Sequence, residues 1–313
     1  MKKIDLSKIK KAHFVGIGGI GVSAIARMMF SERKIVSGSD TSDSAIIDEL
    51  RKLGAKIFLG HNANNVADDF DFLVYTPAVT ADNPELKKAA ELSIPMFSYP
   101  EMLGLISKDK YTIAVSGAHG KTTTTAMIAK ILIDAGLDPT VIVGSFLKDQ
   151  GSNFVAGKSE YFVVEACEYK KSFLNLNPKI IVITNIDNDH LDYYGNLENI
   201  KKAFGEFAAK LPKEGYLVCD PNDENLKEII KEAKFKIIDY TKVNNNFNLK
   251  IPGEHNIKNA QAAIVAAEIL GVDSKKSENS LESFEGTWRR FEFKGETKNG
   301  VWSTTITAII PRR

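Results

Sequence analysis

YTIAVSGAHGKTTTTAMIAKILID, residues 111–134, passes from an apolar run through a glycine-bracketed turn into a segment of helical periodicity. A strand, turn and helix in this order present the first N–H groups of the helix, which have no partner inside it, to an anion. Gly117, Gly120, Lys121 and Thr122 form G-x-x-G-K-T, a shortened phosphate loop. The backbone of Gly117, Ala118, His119 and Gly120 is expected to cradle nucleotide phosphates. Lys121 is expected to neutralise the β- and γ-phosphates, and Thr122, followed by Thr123, to offer its hydroxyl to Mg2+. A lysine and four threonines after a strand have little structural purpose otherwise, so ATP is the expected nucleotide.

Downstream, YFVVEACEY puts Glu165 at the end of an apolar run, and KIIVITNIDNDHLDYY puts Asn185, Asp187, Asp189, His190 and Asp192 just past another. In a parallel sheet the carboxyl ends of such strands share an edge with the phosphate loop, so Glu165 and His190 are expected to reach a cation beside Thr122. Asp187 and Asp192 read as turn or capping groups. In PGEHNIKNAQAAIVAAEILGV, His255, Asn256 and Asn259 offer imidazole and amide groups to a base, although Asn256 alone could be a helix cap. Arg289 and Arg290 in GTWRRFEF are either solvated charges or a guanidinium for the transferring phosphate.

Upstream, AHFVG at residues 12–16 leads through IGGIG into SAIARMMF, a second strand, turn and helix. Gly16, Gly18 and Gly21 make G-x-G-x-x-G, and the next strand, KIVSGSD, ends at Asp40, where a dinucleotide fold places an acid on a ribose hydroxyl. Taken alone, this pattern suits NAD. Further strands at AKIFLG, DFLVYTP and IPMFSY, with a helix at NPELKKAAEL, complete a doubly wound unit, and the polar residues 107–110 mark a boundary. The chain is thus expected to be α/β throughout: a Rossmann-like domain at 1–108, a P-loop ATPase-like ATP-binding domain at 109–292, and a remainder at 293–313.

With 41 Lys and Arg against 40 Asp and Glu, the net charge of +1 offers no field for nucleic acid or an anionic membrane. Two cysteines, Cys167 and Cys219, make no disulfide framework and suit a reducing cytoplasm. The basic start and apolar residues 14–30 imitate a signal peptide, but glycines and Arg27 interrupt the run. No apolar stretch is long enough to span a membrane, and nothing calls for an obligate protein partner.

The order AHFVGIGGIGVSAIA, GSD, GAHGKTTT, VVEA, TNIDNDHLD, PGEHNIKNA and RRFE closely resembles the Mur ligase family over residues 10 to 300. The resemblance implies that the first domain holds the UDP part of UDP-N-acetylmuramate instead of NAD, with Gly16, Gly18, Gly19, Gly21, Ser23, Asp40 and Thr76 on the substrate side. It implies that ATP and Mg2+ activate the muramyl carboxylate as an acyl phosphate, which an amino acid then attacks. Lys121, Glu165, His190 and Arg290 (or Arg289) would be catalytic, with Thr122, Glu165 and His190 on Mg2+ and His255, Asn256 and Asn259 near the base. Family branches that add later residues carry a carbamylated lysine in the helix after DHLD; Phe204 falls there, which favours L-alanine as the amine.

Ala118 and Cys167 depart from the usual threonine and acid, and TKVNNNF replaces a longer β-rich insert. The family also leads one to expect VYDDYGHHPTE and a closing third domain where the chain reads VWSTTITAIIPRR. Codons for this tail, read one base out of register, admit Y-D-D-Y-G-H-H-P-T, so a frameshift near residues 300–302, a frayed segment from 303 and little turnover are expected. The alternatives are a ligase recycling whole murein peptides and a non-catalytic nucleotide-binding protein.

Overall fold

A computed structural model describes residues 4–288 apart from 232, 245 and 246, together with the backbone of 292–296 and 302–305. The chain divides into two compact units, Met1–Ile106 and Ser107–Arg313.

In the first unit β1 (Lys11–Val15), α1 (Ile20–Ser31), β2 (Ile35–Asp40), α2 (Ala45–Lys52), β3 (Lys56–Leu59), β4 (Phe72–Tyr75), α3 (Pro84–Glu91), β5 (Met96–Ser98) and α4 (Tyr99–Lys108) follow in turn. The strands are all parallel, in the order β3-β2-β1-β4-β5. Strand order reverses between β1 and β4, which opens a crevice beyond their carboxyl ends. Residues 12–15 of β1 are buried on both faces, which is why the strand reads as an apolar run and does not alternate. Local chemistry fixes the helix starts. The Ser44 hydroxyl accepts from Ile47 N at α2, and the Asn83 amide oxygen accepts from Glu85 N and Leu86 N at α3, where Pro84 supplies a preset φ.

One part of this core is polar. Glu85 is fully buried, accepting from Asn65 Nδ2 at 2.6 Å and from the Ser39 hydroxyl at 2.5 Å, while His61 Nδ1 lies 3.2 Å away. His13 Nε2 stands 3.8 Å off, too far for a hydrogen bond. Burial alone would push the Glu85 carboxyl up; the pull of His13, then Ser39 and Asn65, together holds it below its ordinary value.

The second unit contains β6 (Tyr111–Ser116), α5 (Lys121–Asp134), β7 (Thr140–Leu147), β8 (Ser152–Val155), β9 (Tyr161–Glu165), β10 (Ile180–Ile183), α6 (Leu191–Tyr194) and α7 (Leu197–Ala208). It continues through β11 (Tyr216–Cys219), α8 (Lys227–Lys231), β12 (Lys236–Asp239), α9 (Glu254–Ile269) and α10 (Ser274–Glu282). Its sheet runs β12-β11-β10-β6-β9-β7-β8, parallel except that β8 is antiparallel to β7. Helices α5 and α9 share one buried core. Ala260, Ala262, Ala263, Ala266 and Ala267 of α9 are all fully buried, and such small side chains let two backbones approach closely. Opposite them Met127, Ile128 and Leu132 of α5 are sealed from water, each stabilising the unit by about 1.5–3 kcal/mol.

Beyond α10, β13 (Glu292–Glu296) and β14 (Trp302–Thr305) pair antiparallel. The expectation of fraying from residue 303 therefore fails for 303–305. Thr304 and Thr305 are β-branched, which suits a strand. Residues 306–313 lie outside the described part of the chain, as do Arg289 and Arg290.

Candidate functional site

In the second unit the loop between β6 and α5 closes through glycine. Gly120 has φ of 85°, and a Cβ there would stand 2.4 Å from Asn259 Oδ1, so a larger residue would be strained by its backbone and by the α9 amide alike. Asn185, just past β10, holds the other side. Its amide oxygen accepts from His119 N at 2.9 Å, its Nδ2 donates to His119 O at 3.0 Å, and its carbonyl accepts from Ala118 N at 3.1 Å. Two amides expected to cradle phosphate are thus already engaged. The start of α5, which has no side-chain cap, keeps its first N–H groups for an anion.

Lys121 spends its three donors on Gly117 O at 2.6 Å, Ala118 O at 3.1 Å and Glu168 Oε1 at 2.8 Å. Thr122 donates to Glu165 Oε1 at 3.1 Å, and Glu165 Oε2 accepts from Gly144 N at 2.8 Å. A Cβ on Gly144 would collide with that carboxylate at 2.7 Å. His190 does not join this pair. Its Nε2 lies 3.7 Å from Glu168 Oε1 and 3.8 Å from Asp189 Oδ2, with the Tyr169 ring centroid 4.7 Å from its own.

The expected cation group therefore separates into Thr122–Glu165 and Glu168–Asp189–His190, with Lys121 bonded to Glu168. The ligand atoms of the second trio lie within 4.8 Å of one another. Glu168 is 1% exposed, and its Oε2 has no hydrogen-bond partner among the described residues. An orphaned buried carboxylate oxygen beside a second carboxylate and an imidazole fits a small divalent cation of the Mg2+ or Mn2+ kind. Asp187 accepts from Asn188 N, and Asp192 lies 3.5 Å from the Tyr169 hydroxyl.

Next to the loop is a cleft of ≈ 580 Å3 lined by His119, Gly120, Asn185, Asp220, His255 and Asn259, among others. Asn256 is not in its wall: it is 2% exposed, donates to Pro252 O at 2.7 Å and accepts from Asn259 Nδ2 at 3.3 Å. It orients Asn259 from behind. Phe204 is buried in α7, edge-on to Phe173 at 5.4 Å, with no lysine at that position.

In the first unit Gly16 has φ of 77°, and a Cβ there would meet Thr76 Cγ2 at 2.4 Å, which brings the turn after β1 against the end of β4. Gly18 N donates to Asp40 Oδ2 at 2.9 Å, and Gly19 forms the start of α1. Gly21 lies under the Tyr99 ring, which a Cβ would meet at 2.6 Å. Ser23 is buried, its hydroxyl donating to Ile20 O at 2.9 Å within α1.

Residues 11–111 match the sequence family described as Mur ligase family, catalytic domain, and residues 115–247 match the Mur ligase middle domain. The chain belongs to the Mur ligase family. Among its relatives, the UDP-N-acetylmuramate–L-alanine ligase of Clostridium tetani is 46% identical, covering 93% of this chain and 70% of its own length. The enzyme of the same name from Caldanaerobacter subterraneus is 44% identical over 94% of this chain and 70% of its own. Of solved structures, UDP-N-acetylmuramate–alanine ligase from Thermotoga maritima is 31% identical, with a TM-score of 0.80 over 96% of this chain and 75% of that one. A UDP-N-acetylmuramate:L-alanyl-gamma-D-glutamyl-meso-diaminopimelate ligase from Neisseria meningitides is 25% identical, with a TM-score of 0.81 over 90% of this chain and 100% of that one. The Mur ligase fold thus accounts for both glycine turns.

Glu168 was not singled out by sequence, and Asn185 was named only as one of the polar groups past a strand, with no role. Glu168 stands three positions past Glu165 in EACE, and Asn185 opens NIDNDH. For Glu168 the legible signal was a second acid beyond the end of a buried strand. Asn185 gave only the general sign of an amide next to a loop.

Proposed function

We propose that this Mur ligase is an ATP-dependent ligase that joins L-alanine to the muramyl carboxylate of UDP-N-acetylmuramate in cytoplasmic peptidoglycan synthesis. The observation that carries the reading is Lys121 at the head of α5 between two carboxylates, Glu165 tied to Thr122 and Glu168 tied to Lys121 itself. That is a site for a polyphosphate with its cation, and relatives at 42–46% identity bearing the L-alanine ligase name supply the chemistry. ATP belongs at the second unit and the UDP sugar at the first. In the first unit Asp40 suits a ribose hydroxyl, since its charge would repel a pyrophosphate brought against Gly18.

In this reading Lys121 and the first amides of α5 hold the transferring phosphate while His255 and Asn259 face the cleft where the base sits. Thr122 and Glu165, with Glu168, Asp189 and His190, would hold Mg2+, which when bound neutralises charge on the phosphoryl oxygens. Arg290 or Arg289 remains the candidate for a further phosphate contact. The protein's part is positioning and screening of charge.

Titration calorimetry with ATP–Mg2+ and with UDP-N-acetylmuramate reads the two units separately, and phosphate release on adding L-alanine reads the chemistry. Binding of neither nucleotide sinks the proposal. Release driven by an alanyl-glutamyl-diaminopimelate tripeptide but not by L-alanine would move it to the recycling branch, whose Neisseria meningitides member has a comparable TM-score at lower identity.

A further inference from the structure

Lys121 has no donor to spare. Its ammonium is saturated by two loop carbonyls and by Glu168 Oε1 at 2.8 Å, in a pair where the lysine side chain is 14% and the glutamate side chain 2% exposed. A phosphate can reach this lysine only if a partner leaves. The loop carbonyls belong to the backbone of Gly117 and Ala118, which Asn185 and Thr184 brace through the loop. The Glu168 carboxylate can turn about its own side-chain bonds.

The backbone of Glu168 is anchored independently of that carboxylate. Its carbonyl accepts from the Tyr194 hydroxyl at 2.5 Å and from Lys171 N at 2.9 Å. Lys170 and Lys171 follow in left-handed conformations with φ of 50° and 57°, and Lys171 is pinned to Glu206 at 2.7 Å. Consecutive left-handed lysines are strained, so this turn is held by its surroundings and not by its own preference. The result is a fixed pivot carrying a carboxylate with one oxygen on Lys121, the other unpartnered, and His190 Nε2 at 3.7 Å from the first.

We propose that Glu168 is a latch on the phosphate-loop lysine: its carboxylate holds Lys121 while the loop is empty and passes to the Asp189–His190 side when a nucleotide takes the lysine. A buried glutamate stripped of its lysine would be an uncompensated charge, so release is favourable only when something positive replaces the ammonium. A divalent cation arriving with the nucleotide does so. Nucleotide and cation are then coupled through Glu168, and each raises the affinity of the other by the same factor. This rests on the second unit binding ATP as proposed above.

The test is the Kd of ATP measured by calorimetry with Mg2+ and with excess chelator, for the unaltered chain and for Glu168→Gln. The unaltered chain is expected to bind ATP about 10-fold or more tightly with Mg2+ than without, within the usual range of such couplings. In Glu168→Gln the Mg2+-free affinity rises and the Mg2+ enhancement falls severalfold. Glu168→Ala, which also leaves Lys121 its two carbonyls, is measured beside it with the melting temperature of both, so that one folded variant suffices. A variant that loses affinity equally in both conditions shows a merely structural glutamate and overturns the latch, as does an enhancement equal to the parent's. If the unaltered chain binds no ATP in either condition, the nucleotide reading itself falls.

Discussion

Each sheet sends a central strand into a glycine turn and a helix, but the turn after β1 is closed by Asp40 on Gly18 N, whereas the loop after β6 is held by a neutral amide, Asn185, and by the Lys121–Glu168 pair. Under the proposed function Asp40 would receive a sugar hydroxyl beside the first turn. The second loop keeps its acid on a cation that a stronger anion can claim. Two glycine patterns that look alike in sequence thus differ in what they can release.

The largest expected effect tests that difference directly. Lys121→Met should weaken ATP binding by about 100-fold or more while leaving UDP-N-acetylmuramate affinity within a factor of two or so; a common loss in both titrations would mean that the two turns do not serve separate ligands. Next comes backbone strain. Gly120→Ala forces a left-handed alanine against Asn259 and should cost about 1–3 kcal/mol, read as a lowered melting temperature. Gly16→Ala should cost a similar amount, but Thr76→Ser, which removes the methyl at 2.4 Å, should restore part of it. No recovery in the double variant would show that backbone conformation alone sets the penalty.

A smaller effect follows from acid. Glu85 has a folded pKa below its ordinary 4.5, so its ionised network contributes stability that is present above that value and lost as pH falls through the depressed one. Denaturation midpoints of the parent should therefore drop below about pH 4.5 more steeply than those of Glu85→Gln. Equal slopes would remove Glu85 from the acid response. The least change is expected at Cys167, whose side chain reaches solvent but whose thiol is pushed up to about 11 by the protein packed around the strand end and then by Glu168. Its alkylation by iodoacetamide at pH 7.5 should be far slower than that of a free cysteine and should accelerate about tenfold per pH unit toward 11; fast labelling at neutral pH would contradict this.

The strands around both turns were legible because parallel strands are buried on two faces and print as apolar runs: β1, β6, β9 and β10 all read so. Helix α5 was legible from its abrupt start after Gly120. What sequence could not provide was pairing across distance. Glu165 and His190 were expected beside Thr122; Glu165 hydrogen-bonds Thr122, whereas His190 lies beside Glu168, since three strand ends on one edge do not say which side chains touch. Asn256 looked like a base ligand because it shares a helix face with Asn259, yet its amide is consumed by Pro252. Hairpin β7–β8 was passed over because Gly144, Ser145 and the polar KDQG turn interrupt its apolar pattern.

The Gly144 contact also bears on ion choice. Each Glu165 oxygen already accepts one hydrogen bond, Oε1 from Thr122 and Oε2 from Gly144 N, so under the proposed function this carboxylate would favour single-point over two-point coordination of a cation. Calcium favours larger shells in which carboxylates often bind through both oxygens, while magnesium accepts one oxygen from each in a tight octahedron. Ion discrimination would then begin two strands away from β6, at a glycine of β7 that would not itself touch the metal.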